Sequence, residues 1–275
     1  MPSKKSVLAI SFWWALALQP AVAADACGGE VPCELEEGTY YALLPDDAET
    51  VPPVGAVFYL HGYRGKALNA VRNASFKKLA NDLNVVFVAV QGINGTWSFP
   101  TAPQNLRDES VFFDAVLDDV EDRFHIDREK TLLTGFSSGG FMTWYLACDD
   151  ADRFAGYAPI AGAFWKPLPE ECPTEAPYLF HVHGTSDTVV PLEGRPLGGG
   201  KYHQGDVFKS FDVWLQQLGL TDDKPMTYDD GSLSCERWSP ETGLLELCLH
   251  DGGHNVRAEW MERAWHELGK LKGWS

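Results

Sequence analysis

Short runs of apolar and β-branched residues alternate along the chain with segments of helical periodicity. The runs predict strands buried on both faces, because polar residues barely interrupt them. They cover residues 54–60, 85–90, 131–134, 157–160 and 178–182.

Between these runs, apolar residues recur at spacings of three and four, which is typical of helices with one buried face. Such helices are predicted at residues 67–83, 109–124, 139–147, 206–218 and 258–271. The repeated order of strand, helix and strand predicts an α/β fold with a mostly parallel central sheet and helices on both faces. Because no Pro/Ser-rich linker interrupts the pattern, residues 24–275 are predicted to form a single domain.

Composition agrees with a large folded core. The 275 residues are 45% hydrophobic and 12% aromatic, without repeats or low-complexity tracts. The net charge of −17 opposes binding to nucleic acid or to an anionic membrane.

The first 23 residues resemble a secretory signal peptide. A pair of lysines precedes an apolar stretch at 7–18, and Ala-Val-Ala at 21–23 fits a cleavage site. A membrane anchor is the alternative, but this stretch has only about a dozen residues where a spanning helix needs roughly 20. A lipid anchor at Cys27 is disfavoured by Asp25. The expected location is secreted or periplasmic, with no membrane association after cleavage.

The cysteines suit an oxidising compartment, because their number is even and all follow the predicted cleavage point. The simplest pairing is sequential among Cys27, Cys33, Cys148, Cys172, Cys235 and Cys248. Cys235 with Cys248 is the best supported pair, since these residues lie in two strand-like runs around the turn SPETG. A zinc site is the alternative, but the chain has no C-x-x-C spacing.

The stretch TLLTGFSSGGF at 131–141 contains the motif G-x-S-x-G between a predicted strand and a predicted helix. Such a turn holds a serine in a strained conformation at the carboxyl end of a sheet. Only Ser137 has glycines two residues away on both sides, so Ser137 is the predicted nucleophile. The backbone N–H of Ser138 is then the first expected oxyanion donor. The alternative is a tight turn without chemistry.

A catalytic serine needs a base, and the base needs an orienting carboxylate. Asp187 follows the strand YLFHV, and His254 follows the strand-like run that contains Cys248. The three residues therefore occur in the order Ser, Asp, His. Asp187 is also compatible with an ordinary turn. His181 and His183 alternate along a strand and are predicted to be structural.

The motif YLHGYRG at 59–65 begins a loop that should face the serine. Its expected contribution is the backbone N–H of Tyr63, the second oxyanion donor. A plain strand-to-helix turn is the alternative.

Four aromatic residues follow strand ends and are predicted to line the mouth of the site, where they would suit a hydroxycinnamate ring or an apolar polyester chain. Packing beneath loops is an equally good interpretation of each. They are Trp97, Phe99, Phe164 and Trp165.

The segments LHGYRG, GFSSGGFMTWYLAC, FAGYAPIAGA, HVHGTSDTVVP and DGGHN together resemble the secreted polyhydroxybutyrate depolymerases and feruloyl esterases of the α/β-hydrolase superfamily. The resemblance extends from about residue 54 to residue 254. It implies Ser137 as nucleophile, Asp187 as acid and His254 as base. Relatives often carry Asn or Ala after the nucleophile and Trp-Pro after the histidine, and this chain has Ser138 and Asn255-Val256 instead.

The predicted function is therefore a serine esterase that hydrolyses feruloyl, acetyl or hydroxyalkanoate esters through an acyl-enzyme. No metal or organic cofactor is implied, and the oligomeric state stays open. A serine peptidase of the same superfamily is one alternative, although such enzymes usually carry a propeller or a large cap. A non-catalytic binding protein is another, although all three triad residues are present.

Overall fold

The computed structural model describes residues 27–101 and 103–274, so the predicted signal peptide lies outside the described residues. The strands are β1 Cys33–Leu35, β2 Gly38–Leu43, β3 Ala56–Leu60, β4 Val86–Val90, β5 Thr131–Phe136, β6 Gly156–Ile160, β7 Tyr178–Gly184, β8 Pro196–Leu197, β9 Tyr202–His203, β10 Met226–Asp230, β11 Leu233–Trp238 and β12 Leu244–His250. The helices are α1 Ala67–Val71, α2 Ala74–Leu83, α3 Glu109–Phe124, α4 Ser138–Asp149, α5 Val207–Gln217 and α6 Ala258–Lys272.

One sheet organises the described residues, in the order β1-β2-β4-β3-β5-β6-β7-β12-β11-β10. Its centre, from β4 to β12, is entirely parallel, whereas β1, β2, β10 and β11 pair in antiparallel fashion at the two edges. The prediction of a mostly parallel sheet is confirmed. The carboxyl ends of β3, β5, β7 and β12 meet at one rim, as parallel strands require.

Each face of the sheet carries its own layer of helices. Along β3, Phe58 and Leu60 join a core with α3, α4 and α5, while Val57 and Tyr59 join a second core with α1, α2 and α6. Successive strand residues point to opposite faces. The uninterrupted apolar runs of the sequence follow directly from this burial on both sides.

The predicted helix at 67–83 is wrong in one respect, because the structure divides it into α1 and α2. The Asn73 side chain accepts a hydrogen bond from the Ser75 amide at 2.8 Å and caps the start of α2. An asparagine that binds its own backbone in this way competes with helix continuation.

Three disulfides join Cys27 with Cys33, Cys148 with Cys172, and Cys235 with Cys248. The sequential pairing is confirmed. The last pair lies directly across the β11–β12 ladder, with 4.1 Å between the two Cα atoms. In the part of the chain that the structure describes, none of the helices combines the length and the apolar character that crossing a membrane requires.

Candidate active site

Ser137 occupies the turn between β5 and α4. Its backbone lies at φ 56° and ψ −118°, a region that side-chain-bearing residues rarely adopt. The turn is held by the neighbouring strand, because the Ser137 amide donates to the Ile160 carbonyl at 3.0 Å. The serine predicted as the nucleophile is therefore the strained one, and Ser138 begins the helix behind it.

The two glycines of the motif are required by close backbone contacts. A Cβ atom on Gly135 would lie 2.2 Å from the Gly139 carbonyl oxygen. A Cβ atom on Gly139 would lie 2.1 Å from the Leu60 carbonyl oxygen. Both distances are too short for any side chain, so the expected crowding around this turn is confirmed.

Asp187 lies in the loop after β7, and its side chain is fully buried. One carboxylate oxygen, Oδ1, accepts hydrogen bonds from the Val189 and Val190 amides, each at 2.8 Å. The other oxygen, Oδ2, lies 2.6 Å from Nδ1 of His254. A carboxylate only accepts, so the imidazole donates from Nδ1 and its Nε2 is left to act as a base.

His254 keeps 15% of its side chain exposed, and its ring lies against Phe136 with 4.6 Å between ring centroids. Phe136 directly precedes Ser137, so the imidazole packs beside the serine turn. The loops that carry Asp187 and His254 are also joined. The Thr185 amide donates to the His250 carbonyl at 2.8 Å, and the Ser186 amide to the Gly252 carbonyl at 3.1 Å.

The loop after β3 approaches the serine turn through Gly62, where a Cβ atom would lie 3.4 Å from Ser137 Cβ. His61 braces this loop. Its Nδ1 lies 2.8 Å from the Gly62 carbonyl, and its Nε2 accepts from the Gly92 amide at 3.1 Å. Burial lowers the pKa of His61, which favours the neutral form that this pattern needs.

Tyr63 directs its side chain to solvent, with 59% exposed. Within the described residues its amide donates to no other group of the chain, while the Arg64 amide donates to the Gly95 carbonyl at 2.7 Å. The Tyr63 N–H is thus available to a ligand. The bracing by His61 was missed in the sequence, although the histidine stands next to Gly62 in the same motif.

The expected aromatic mouth is wrong for Trp97 and Phe164, which are 1% and 0% exposed. Trp97 lies in the core and donates its indole N–H to the His61 carbonyl at 2.9 Å. Trp165 is 6% exposed and packs against Phe99 and Phe141. The position of a residue at the end of a strand does not fix the direction of its side chain. These rings lie in the interior because burying each of them removes a large apolar area from water.

Phe99 is 7% exposed and lines a cavity of about 760 Å³ that extends along α4, but Ser137, Asp187 and His254 do not line this cavity. Its walls include Met142, Tyr145 and Leu146 from the helix and Leu168 from the opposite loop. Phe99 stacks on Tyr145 with 5.0 Å between ring centroids. The cavity therefore offers an aromatic and apolar wall along the later turns of α4, beyond the serine turn itself.

One group of potential metal ligands occurs among the described residues, and it consists of Cys235, Glu246 and Cys248. The two sulfurs are bonded to each other. The Glu246 carboxylate is neutralised by Arg237 and Arg263, the latter at 2.6 Å. This chemistry does not fit a metal site.

Comparison with known proteins identifies relatives of the chain among esterases. Residues 104–197 match the family model described as Phospholipase/Carboxylesterase. Feruloyl esterase C of Emericella nidulans is 30% identical over 224 residues, which cover 78% of this chain and 76% of the relative. A protein named "Probable feruloyl esterase C" from Aspergillus oryzae is 30% identical over 230 residues, covering 81% and 78%. A protein named "Putative esterase NocK" from Nocardia uniformis subsp. tsuyamanensis is 28% identical over 200 residues, which cover 70% of this chain and 58% of the relative.

Among solved structures, the acetyl xylan esterase from Aspergillus awamori superposes with a TM-score of 0.63 at 15% identity, covering 84% of this chain and 94% of that chain. Sheet topology and structural likeness define an α/β-hydrolase fold, and the relatives identify a carboxylic ester hydrolase. The chain belongs to the esterase family that contains feruloyl esterase C.

Proposed function

We propose that the chain hydrolyses esters through a triad of Ser137, His254 and Asp187. The observation that carries this proposal is the 2.6 Å contact between His254 Nδ1 and Asp187 Oδ2, beside a serine held at a φ of 56°. The carboxylate orients the imidazole and stabilises the imidazolium that forms when the serine proton is taken. Burial of Asp187 strengthens this interaction, because water does not screen it.

In the proposed reaction, His254 Nε2 takes the Ser137 hydroxyl proton as Oγ attacks the ester carbonyl. The Tyr63 and Ser138 amides stabilise the oxyanion. The imidazolium returns its proton to the departing alcohol, which leaves an acyl group on Ser137. Water, deprotonated by the same nitrogen, then attacks the acyl-enzyme and releases the acid. As the bond between the acyl carbon and Ser137 Oγ breaks, the imidazolium returns this proton to Oγ, which restores the starting enzyme.

The substrate proposed is an ester of a hydroxycinnamic acid. Two of the relatives reported above carry feruloyl esterase in their names. The aromatic wall formed by Phe99 and Tyr145 is of the kind that a phenolic ring packs against. Acetyl and hydroxybutyrate esters are the competing substrate classes. Comparing the rates of hydrolysis of the three kinds of ester distinguishes them.

Secretion completes the proposal, with residues 1–23 as a cleaved signal peptide and 24–275 as one catalytic domain. Three disulfides support a location in an oxidising compartment. Amino-terminal sequencing of the protein recovered from the culture medium or periplasm tests the cleavage point. Residue 24 at the new terminus is the expected result.

The triad is tested on methyl ferulate, a short acyl nitrophenyl ester, acetylated xylan and hydroxybutyrate oligomers. In Ser137→Ala, kcat should fall by at least about 10³-fold. Ser138→Ala is the matched control, because alanine retains the backbone amide and the variant should keep most activity. A phosphonylating probe should add its mass to the peptide that contains Ser137. The reverse behaviour of the two serines contradicts the assignment.

A further inference from the structure

A line of three buried polar side chains runs from the helix behind Ser137 to the loop of Asp187. Trp144 Nε1 donates to His181 Nδ1 at 3.2 Å, and His181 Nε2 lies 3.0 Å from His183 Nδ1. His183 Nε2 lies 2.7 Å from the Val190 carbonyl. The three side chains belong to residues that are 0% exposed.

Trp144 fixes the direction in which hydrogen bonds are donated along this line. An indole N–H only donates, so His181 Nδ1 must be unprotonated. Burial holds the pKa of His181 well below its usual range, and burial also lowers the pKa of His183. Each ring is therefore neutral and has one hydrogen.

The hydrogen of His181 accordingly lies on Nε2 and is donated to His183 Nδ1. His183 must then carry its own hydrogen on Nε2, where the Val190 carbonyl accepts it. With the other tautomer, the His183 Nε2 lone pair would face that carbonyl oxygen at 2.7 Å and Asp187 Oδ2 at 3.7 Å. Both contacts would be repulsive, so the Trp144 indole at one end of the line and the Val190 carbonyl at the other favour the same tautomer of His183.

The last acceptor belongs to the backbone that holds Asp187. Val190 accepts from His183 through its carbonyl, while the Val189 and Val190 amides both donate to Asp187 Oδ1. Restraining Val190 therefore restrains the carboxylate, and with it the His254 ring 2.6 Å away.

We propose that His183 is a positioning residue for Asp187, and that Trp144 and His181 fix the tautomer with which it acts. The inference rests on the proposed triad and adds to it residues that touch neither substrate nor reacting atoms. Its chemistry is a hydrogen-bond relay that sets orientation, with no proton transferred during turnover.

The test compares two amides at position 183. Gln places its N–H close to the site of His Nε2, whereas Asn is too short and reaches only the region of Nδ1. His183→Gln should keep kcat within about threefold, and His183→Asn should lower kcat by at least about tenfold, with KM within about twofold in both. The low-field proton resonance of the His254–Asp187 hydrogen bond should persist in the Gln variant and shift or broaden in the Asn variant.

Trp144→Phe provides a second measurement at a distance from Asp187, because it removes one of the two groups that favour this tautomer and leaves His181 Nδ1 without its donor. Trp214→Phe is its control: Trp214 is also 0% exposed, and within the described residues its indole N–H has no hydrogen-bond partner. We expect kcat to fall several-fold in Trp144→Phe and to stay near wild type in Trp214→Phe.

Equal kcat in the Gln and Asn variants overturns the proposal. If His183→Asn does not fold, equal kcat in Trp144→Phe and Trp214→Phe overturns it. Failure of the triad itself is recognised separately, because Ser137→Ala would then retain activity. A Ser137→Ala variant without activity, combined with an unaffected His183→Asn, rejects the relay alone.

Discussion

The indole N–H of Trp97 donates to the backbone carbonyl of His61 at 2.9 Å. This bond links a buried aromatic ring to the loop that carries Gly62 and Tyr63. Trp97, which was expected at the mouth of the site, thus supports from the core the loop proposed to bind the oxyanion.

Trp97→Phe should lower both stability and kcat. Loss of the buried hydrogen bond leaves the His61 carbonyl without its donor, which costs about 1–3 kcal/mol of the free energy of unfolding. Because the loop also loses its support, kcat should fall while KM changes little. Urea unfolding and steady-state kinetics measure the two effects. Trp214→Phe loses the same ring without a hydrogen bond, so an equal loss in both variants would contradict the role of the Trp97 N–H.

Asp187→Asn should reduce kcat by about 10³–10⁴-fold with little change in fold. If the NH₂ group of the amide faces the Val189 and Val190 amides, donors face donors and the contact is repulsive. If it faces His254 Nδ1, the contact is favourable only when the imidazole takes the wrong tautomer. Kinetics on a nitrophenyl ester provide the measurement. Asp251→Asn, an exposed carboxylate in the adjacent loop, is the control and should keep nearly full activity.

Stability should decline as the pH falls from about 7 towards 5. Burial lowers the pKa of His61, His181, His183 and His250 in the folded chain, whereas the unfolded chain titrates near 6.5. Below that value the unfolded state binds more protons, so protonation favours unfolding. Each such histidine contributes a slope of up to about 1.4 kcal/mol per pH unit, between the unfolded pKa and the folded one.

Thermal unfolding at several pH values measures this slope. His181→Phe removes one of the buried groups and should flatten the decline by up to the contribution of one histidine. His266→Gln, which changes an exposed histidine on α6, is the control for loss of a histidine at the surface. If stability declined equally with falling pH in wild type and in His181→Phe, buried histidines would not be the cause of the decline.

The disulfide between Cys148 and Cys172 should contribute more stability than the one between Cys27 and Cys33. The first closes a loop of 24 residues and the second a loop of 6 residues. On the chain-entropy account, these loops correspond to about 3 and about 2 kcal/mol. Unfolding of the two double Cys→Ala variants measures the difference. A greater loss on removal of the shorter loop would show that strain or packing outweighs loop length.

The central sheet and the serine turn were predictable because burial on both faces leaves an uninterrupted apolar run, and because only glycine tolerates the contacts at positions 135 and 139. The edge strands β1, β2 and β10 were not predicted. Residues of β10 are mostly exposed, and their pattern MTYDD gives no apolar signal. The pairing with β11, rather than the side chains, makes that segment a strand.

The surroundings of the candidate site were predicted less well for a different reason. Position along the chain placed Asp187 and His254 at the correct rim, since parallel strands share an end. Nothing local indicated that Trp97 would turn inward, because its contact joins segments 36 residues apart in sequence. His183 meets Val190 only seven residues further along the chain, but that contact depends on the path of the loop after β7, which the residue types alone do not fix.

The parallel order β3-β5-β6-β7-β12 also affects how fast the chain folds. Gly62, Ser137, Asp187 and His254 follow four of these strands, and the residues that pair between β7 and β12, such as Tyr178 and Leu244, lie 66 positions apart in sequence. Pairings of such sequence separation form slowly. During refolding, helical signal should therefore recover before ester hydrolysis, and the gain of activity should mark the docking of β12 against β7.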